Sequence, residues 1–95
     1  MNNAKQDINN LISNANEYLQ NENYDKASKL FSELNQLIPS NFGIKYNLGG
    51  CLAKQNKYKE SLDIFLEAKE LDDRNPDIYF SLGLAFYRLK EEKES

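Results

Sequence analysis

At 95 residues, a net charge of −3 and a pI near 4.9, the chain can form one modest domain, and it lacks the basic balance that binding to a nucleic-acid backbone requires. Its single cysteine excludes an intrachain disulfide, and the absence of histidine removes the commonest zinc ligand and the commonest general base. The sequence contains no phosphate-binding loop, nucleophile motif, secretory signal or membrane-length apolar run, so we expect a cytoplasmic protein that is not an enzyme, needs no cofactor and binds neither metal, nucleic acid nor membrane.

Hydrophobic periodicity and turn residues predict an all-α chain. The helices are expected at about residues 4–21, 24–38, 42–55, 58–72 and 76–92. In the fourth of these, apolar residues such as Leu62 and Phe65 alternate with charged residues, as in an amphipathic helix. Asn56 suits the left-handed end of the third helix, and Asn75 followed by Pro76 is typical of a helix start.

The sequence matches itself at an offset of 34 residues. Equivalent positions include Tyr24 and Tyr58, Phe31 and Phe65, Asn41 and Asn75, Tyr46 and Phe80, and Gly49 and Gly83. A single period that holds along the chain predicts a helical-repeat solenoid, in which neighbouring hairpins bury each other's apolar faces. We therefore expect one domain over residues 1–95, divided into repeat 1 at about 8–41, repeat 2 at about 42–75 and a partial repeat 3 at about 76–95.

The repeated positions resemble the tetratricopeptide repeat (TPR), whose motif is Trp-x2-Leu-Gly-x2-Tyr, then Ala-x3-Phe, then Pro. The matching stretches are Leu11-x2-Asn14-Ala15-x2-Tyr18, Ala27-x3-Phe31 and Pro39 in the first repeat, Lys45-x2-Leu48-Gly49-x2-Leu52 and Ser61-x3-Phe65 in the second, and Tyr79-x2-Leu82-Gly83-x2-Phe86 in the third. Asn14, Lys45 and Ser61 depart from the motif. The resemblance implies about two and a half antiparallel hairpins in a right-handed superhelix. Cys51 is expected to pack between the two helices of the second repeat as a small apolar residue.

The resemblance also implies a concave groove, lined by the first helix of each repeat, in which this family holds peptides or partner helices. The expected groove residues are Asn9, Ile12, Asn16 and Gln20 in the first repeat, Tyr46, Asn47 and Lys54 in the second, and Phe80, Ser81, Leu84 and Arg88 in the third. Asparagine amides can pair with a peptide backbone, and aromatic rings can anchor a partner. The alternative is that Tyr46 and Phe80 only pack between the first helices of neighbouring repeats.

The carboxylate clamp is a known groove chemistry of this family. It holds the acidic C-terminal tails of cytosolic heat-shock chaperones with two asparagines, two lysines and an arginine. Asn16 and Asn47 match the asparagines, whereas Ile12, Asp77 and Ser81 occupy the positions of the three cations. We therefore expect no chaperone-tail binding of this type.

Lys54 and Arg88 occupy one position in successive repeats, which would place two cations side by side at one end of the groove. One interpretation is a docking point for an acidic side chain or a terminal carboxylate. The other is a solvated helix C-terminus, where the helix dipole favours cations.

The fifth helix is more apolar than the end helix of an array usually is. We expect a self-association or missing-helix face formed by Ile78, Tyr79, Leu82, Phe86 and Leu89. The hypothesis is that the natural chain continues past Ser95 or that this helix pairs with a second copy as a homodimer. The predicted function is a protein–protein interaction module, an adaptor or chaperone-like scaffold. The alternatives are a homo-oligomerising structural element and a fragment of a longer TPR array or multidomain protein.

Overall fold

The computed structural model describes residues 4–94, with side chains from Asp7 onwards, and this part of the chain forms five α-helices and no strand. Residues 1–3 and Ser95, which the single-domain prediction included, lie outside the described part. The helices are α1 (Ala4–Gln20), α2 (Tyr24–Leu37), α3 (Phe42–Lys54), α4 (Tyr58–Leu71) and α5 (Pro76–Glu94). The predicted helices are thus confirmed to within two residues at either end.

The helix ends follow from polar caps and left-handed turn residues. The side-chain oxygens of Asn23 and Asn41 accept backbone N–H groups in the first turns of α2 and α3, at 3.3 and 2.9 Å. Glu22 and Asn56 adopt left-handed conformations, with φ of 60° and 64°, in the turns that precede α2 and α4. Because these two residues lie at the repeat offset, both hairpins reverse direction through the same kind of turn.

Successive helices pack against each other in chain order. The hairpins α1–α2 and α3–α4 stack through contacts between α2 and α3, and α5 packs against α4 and also touches α3. The result is an elongated stack with extents of 54 × 28 × 18 Å, as expected for a solenoid in which each unit contacts only its neighbours.

The apolar core consists of two clusters of buried side chains between successive helices. The first joins α1, α2 and α3 through Ala15, Ala27, Phe31, Leu34, Ile44, Leu48, Cys51 and Leu52. The second joins α4 and α5 through Leu62, Phe65, Ala68, Ile78, Leu82 and Ala85. Full burial of a large apolar side chain stabilises a fold by about 1.5–3 kcal/mol, so these clusters hold the repeats together.

Gly49 allows α3 and α4 to approach closely. A Cβ atom on this residue would lie 2.5 Å from Cε1 of the buried Phe65 ring, closer than real contacts allow. At the same crossing the Ser61 hydroxyl donates a hydrogen bond of 2.8 Å to the Gly49 carbonyl. The equivalent glycine of α5, Gly83, faces open space within the described structure. The repeated glycine therefore has a packing role only where a second helix covers it.

Candidate functional site

A cavity of about 320 Å³ lies between α3, α4 and α5. We call it the α3–α5 cavity. It is lined by Gly50, Ala53, Lys54, Asn56, Tyr58, Phe65, Ser81, Leu84, Ala85 and Arg88. Four of the predicted groove residues are among them, namely Lys54, Ser81, Leu84 and Arg88. The structure therefore brings one end of the predicted groove together around a single concave site.

The α3–α5 cavity combines an apolar lining with two cations. Phe65 and Ala85 are buried, and Leu84 contributes an apolar side chain that is 44% exposed. Lys54 and Arg88 are both exposed, and no carboxylate is among the lining residues. The cavity can therefore accept an apolar group while presenting positive charge to a neighbouring anion.

The two cations differ in their position along the helices. Lys54 lies in the last turn of α3, where the helix dipole favours a cation. Arg88 does not lie at a helix end, because α5 continues to Glu94 and Lys93 is the cation of its last turn. The helix-end interpretation therefore accounts for Lys54 and not for Arg88. Arg88 instead makes an exposed ion pair, with 3.3 Å between its Nη1 and Oε1 of Glu91.

Tyr46 and Phe80 occupy equivalent repeat positions but have different surroundings. The half-buried Tyr46 ring stacks on Phe42 with the ring centroids 5.7 Å apart and lies 5.9 Å from the Phe65 ring. The Phe80 side chain is 73% exposed. Tyr46 therefore packs on its own helix and against α4, whereas Phe80 presents its ring to solvent.

The predicted groove residues of the first repeat do not line the α3–α5 cavity. Asn9, Asn16 and Gln20 are exposed on α1, and Ile12 is half-buried against the first core cluster. Asn47 is half-buried on α3.

Part of the cavity wall was missed by the sequence analysis. Asn56, Tyr58, Phe65 and Ala85 contribute to it from the α3–α4 turn, α4 and α5. The Tyr58 hydroxyl donates a hydrogen bond of 2.7 Å to Oδ1 of Asn56, which fixes the turn at the cavity edge. Asn56 was the sequence signal for Asn56 and Tyr58, because its turn brings the first residue of α4 beside the last turn of α3, whereas no local pattern indicates Phe65 or Ala85.

Lys45 forms a polar contact that the sequence analysis also missed. Its side chain is only 8% exposed, and its Nζ lies 2.7 Å from Oε1 of Glu67 on α4. The aliphatic stem of a lysine can be buried while the ammonium group is paired near the surface. A lysine is therefore accommodated where the TPR motif has tryptophan.

Cys51 is fully buried in the first core cluster. Burial raises the pKa of its thiol to about 11, so the thiol is protonated at neutral pH. Among residues 4–94, no group of cysteine, aspartate or glutamate side chains could hold a metal ion. Nor is any helix of the described part long and apolar enough to cross a membrane.

The fifth helix holds most of the exposed apolar surface. Five of the eight exposed large hydrophobic side chains of the described chain lie on it, namely Tyr79, Phe80, Leu84, Phe86 and Tyr87. The structure corrects the predicted missing-helix face at three of its five positions. Ile78 and Leu82 are buried in the second core cluster, with Leu89 packed beside them, because this stripe of α5 contacts α4. Tyr79 and Phe86, at 48% and 55% exposed, are the members that remain open.

Comparisons with known proteins agree with this architecture. The family model described as "Anaphase-promoting complex, cyclosome, subunit 3" matches residues 2–68, and the model described as "TPR repeat" matches residues 51–90. The chain belongs to the tetratricopeptide repeat family. Repeats of this family generally mediate protein–protein interaction, and they are typically scaffolds rather than enzymes.

Several solved structures of MamA have the same fold. MamA MSR-1 has a TM-score of 0.83 and 22% identity, covering 92% of this chain and 50% of that one. MamA AMB-1 has a TM-score of 0.84 and 21% identity, covering 92% of this TPR chain and 48% of that one. The chain thus spans about half the length of these structures, and at this identity the likeness shows the fold alone. No curated protein matches the chain.

Proposed function

We propose that this TPR chain is an interaction module, an adaptor or chaperone-like scaffold, that holds a peptide or partner helix against the inner face of α1, α3 and α5. The sequence also predicts that the protein is cytoplasmic and that it is not an enzyme. The repeat boundaries at about residues 8–41, 42–75 and 76–95 likewise remain a prediction.

The exposed apolar surface beside the α3–α5 cavity is the observation that supports this proposal best. Phe80 is 73% exposed and Leu84 is 44% exposed, and Leu84 also lines the cavity. A contiguous exposed apolar surface next to a concave site is typical of a protein-binding surface. Aromatic side chains at such sites contribute a large share of binding free energy.

Affinity capture with matched variants tests the proposal. The immobilised wild-type chain is compared with Phe80→Ser/Leu84→Ser, which removes apolar surface at the cavity edge. The control is Leu37→Ser/Leu66→Ser, because these leucines are also exposed, at 56% and 41%, but lie on α2 and α4 away from the α3–α5 cavity.

The proposal predicts that proteins retained by the wild type and the control are lost from the cavity-edge variant. Equal retention by all three chains, each with an unchanged circular-dichroism melt, would contradict it.

A second candidate function is self-association through α5. It is favoured by the exposed pair Tyr79 and Phe86, which lie on the side of the helix where Gly83 faces open space. A glycine with this clearance permits close approach of another helix, as Gly49 does for α4. In this alternative the chain is a homo-oligomerising structural element whose partner is a second copy.

Sedimentation velocity distinguishes this alternative. Self-association predicts a concentration-dependent mass for the wild type that reverts to a monomer in Tyr79→Ser/Phe86→Ser. Leu82 is left unchanged because it is buried against α4. A wild-type chain that stays monomeric at high micromolar concentration would rule out the homo-oligomer.

A further inference from the structure

We propose that the α3–α5 cavity binds an acidic side chain that stands next to an apolar side chain in a partner peptide. This inference rests on the proposed interaction function and adds the chemistry of the ligand. The proposed occupant of the cavity is an aspartate or glutamate within a peptide chain, with an apolar residue next to it.

The apolar part of this ligand is inferred from the apolar side chains of the cavity wall. Phe65 and Ala85 are buried by the packing of α4 on α5, so this part of the cavity wall is held in place by the core. The backbone at Gly50 is open on this side, with no atom within 4 Å of the position that a Cβ would occupy. The cavity has a volume of about 320 Å³, which is enough for an apolar side chain.

The acidic half is indicated by charge complementarity. The chain has a net charge of −3, yet the charged residues that line this cavity are Lys54 and Arg88. Within residues 7–94 the Lys54 ammonium makes no ion pair or hydrogen bond. The pair between Arg88 and Glu91 is exposed and 3.3 Å long, and exposed pairs of this kind contribute little, so a ligand carboxylate can replace Glu91.

A side-chain carboxylate suits this site better than the carboxylate at a chain terminus. A terminal carboxylate can be held by a nest of free backbone N–H groups or by the asparagines and cations of the carboxylate clamp. Ile12, Asp77 and Ser81 replace the clamp's cations here. The cavity walls at Gly50, Ala53, Ser81 and Ala85 are inside helices, where backbone N–H groups are already bonded within the helix. Lys54 and Arg88 are the cations at the rim that an anion can meet, and a carboxylate on its own flexible stem can reach them.

Amide-shift titration with short peptides tests the inference. The ¹⁵N-labelled chain is titrated with Ac-Gly-Leu-Glu-Gly-NH₂, with its uncharged match Ac-Gly-Leu-Gln-Gly-NH₂, and with Ac-Gly-Gly-Leu, which ends in a free carboxylate. Binding is followed at the amides of Gly50, Ser81 and Ala85. The same titrations are run on Lys54→Gln/Arg88→Gln and on Lys29→Gln/Lys90→Gln, which removes the same charge from exposed lysines that do not line the cavity.

The inference predicts that the glutamate peptide binds at these amides about fivefold more tightly than the glutamine peptide, as expected for one or two exposed ion pairs. This preference should disappear in Lys54→Gln/Arg88→Gln and persist in Lys29→Gln/Lys90→Gln. Equal binding of the two internal peptides would overturn the inference, and so would tightest binding of the peptide with the free terminus.

The titration distinguishes the inference about the cavity from the proposal that the chain is an interaction module. If the peptides shift the amides of Tyr46 and Phe80 but leave those of Gly50, Ser81 and Ala85 unchanged, the inference about the cavity is wrong and the interaction surface stands. The interaction function itself is decided by the capture experiment with the cavity-edge variant, which needs no acidic ligand.

Discussion

The hairpins α1–α2 and α3–α4 fill equivalent positions with different chemistry. At the position of the motif's tryptophan, the first hairpin has the partly buried Leu11, and the second has Lys45 paired with Glu67. At the position of the motif's alanine, the first has the buried Ala27, and the second has Ser61, whose hydroxyl donates to the Gly49 carbonyl. The first hairpin is thus closed by apolar contacts and the second partly by paired polar groups.

This difference shows how the repeat tolerates departures from its motif. A buried polar group destabilises a fold when it has no partner, and the cost is largely offset when it is hydrogen-bonded. Ser61 and Lys45 both find their partners across the same hairpin, so the helices keep their arrangement. Gly83 adds a further contrast, since it repeats Gly49 in sequence but has no helix over it in the described structure.

The largest expected effect comes from adding a methyl group where the second hairpin is tightest. Gly49→Ala would place its Cβ against the buried Phe65 ring, so we expect a loss of about 1–3 kcal/mol in the free energy of unfolding. The matched variant Gly83→Ala meets open space in a helix interior and should gain about 0.5–1 kcal/mol. Urea denaturation of both variants gives the comparison, and a Gly49→Ala variant as stable as the wild type would show that the α3–α4 contact is looser than this distance implies.

The ion pair between Lys45 and Glu67 in the second hairpin can be removed by changing either residue. Glu67→Gln leaves the buried lysine without a charged partner, and we expect a loss of about 1–2 kcal/mol. Lys45→Leu restores the residue found at this position in the first hairpin, so its stability should match or exceed the wild type.

Asp63→Asn is the control for this pair, because it removes an exposed ion pair with Lys59 and should change stability by less than about 0.5 kcal/mol. Thermal and urea unfolding of the three variants measure the ranking. If Glu67→Gln is as mild as Asp63→Asn, the buried pair does not support the hairpin.

The start of the second helix also differs between the hairpins. The Asn23 side chain caps α2, whereas Lys57 occupies the equivalent position before α4 and makes no capping hydrogen bond. Lys57→Asn should therefore stabilise the fold by about 1 kcal/mol, and Asn23→Lys should destabilise it by a similar amount. Shifts in the urea midpoint with unchanged slope measure both effects, and a neutral Lys57→Asn would mean that the turn geometry does not admit the cap.

The smallest expected effect concerns the left-handed turn residues. Asparagine, as at Asn56, tolerates the left-handed conformation well, whereas glutamate, as at Glu22, adopts it at a greater cost. Glu22→Asn should gain about 0.5 kcal/mol, and Asn56→Glu should lose at least as much, because Asn56 also accepts a hydrogen bond from Tyr58. Melting temperatures that move in the opposite directions would contradict this account of the turns.

The fold was predictable because its determinants are local and repeated. Asn23, Asn41 and Asn75 precede helix starts, Asn56 suits the turn before α4, and the repeat offset indicates which helices pair. Each of these signals is contained within a few residues, so the helix bounds follow from the sequence to within two residues.

The details of the site were less predictable because they depend on neighbours distant in sequence. The sequence placed Ile78 and Leu82 on the missing-helix face, but α4 already buries them, since α5 has one apolar stripe for α4 and another that stays open. Likewise, no local pattern indicates that Lys45 meets Glu67, which is 22 residues away. The cavity wall formed by Phe65 has the same origin, because that ring comes from the helix behind the groove.

Site-specific photocrosslinking tests most directly whether the inner face of the repeat contacts a partner. A benzophenone-bearing phenylalanine analogue is introduced at Phe80, which is 73% exposed beside the α3–α5 cavity, or at Leu66, which is 41% exposed on α4 and does not line the cavity. Both chains are irradiated in a native extract, and the adducts are separated and identified by mass spectrometry. The interaction function predicts discrete protein adducts at Phe80 and none of the same adducts at Leu66, whereas equal adducts at both positions, or adducts only at Leu66, would contradict it.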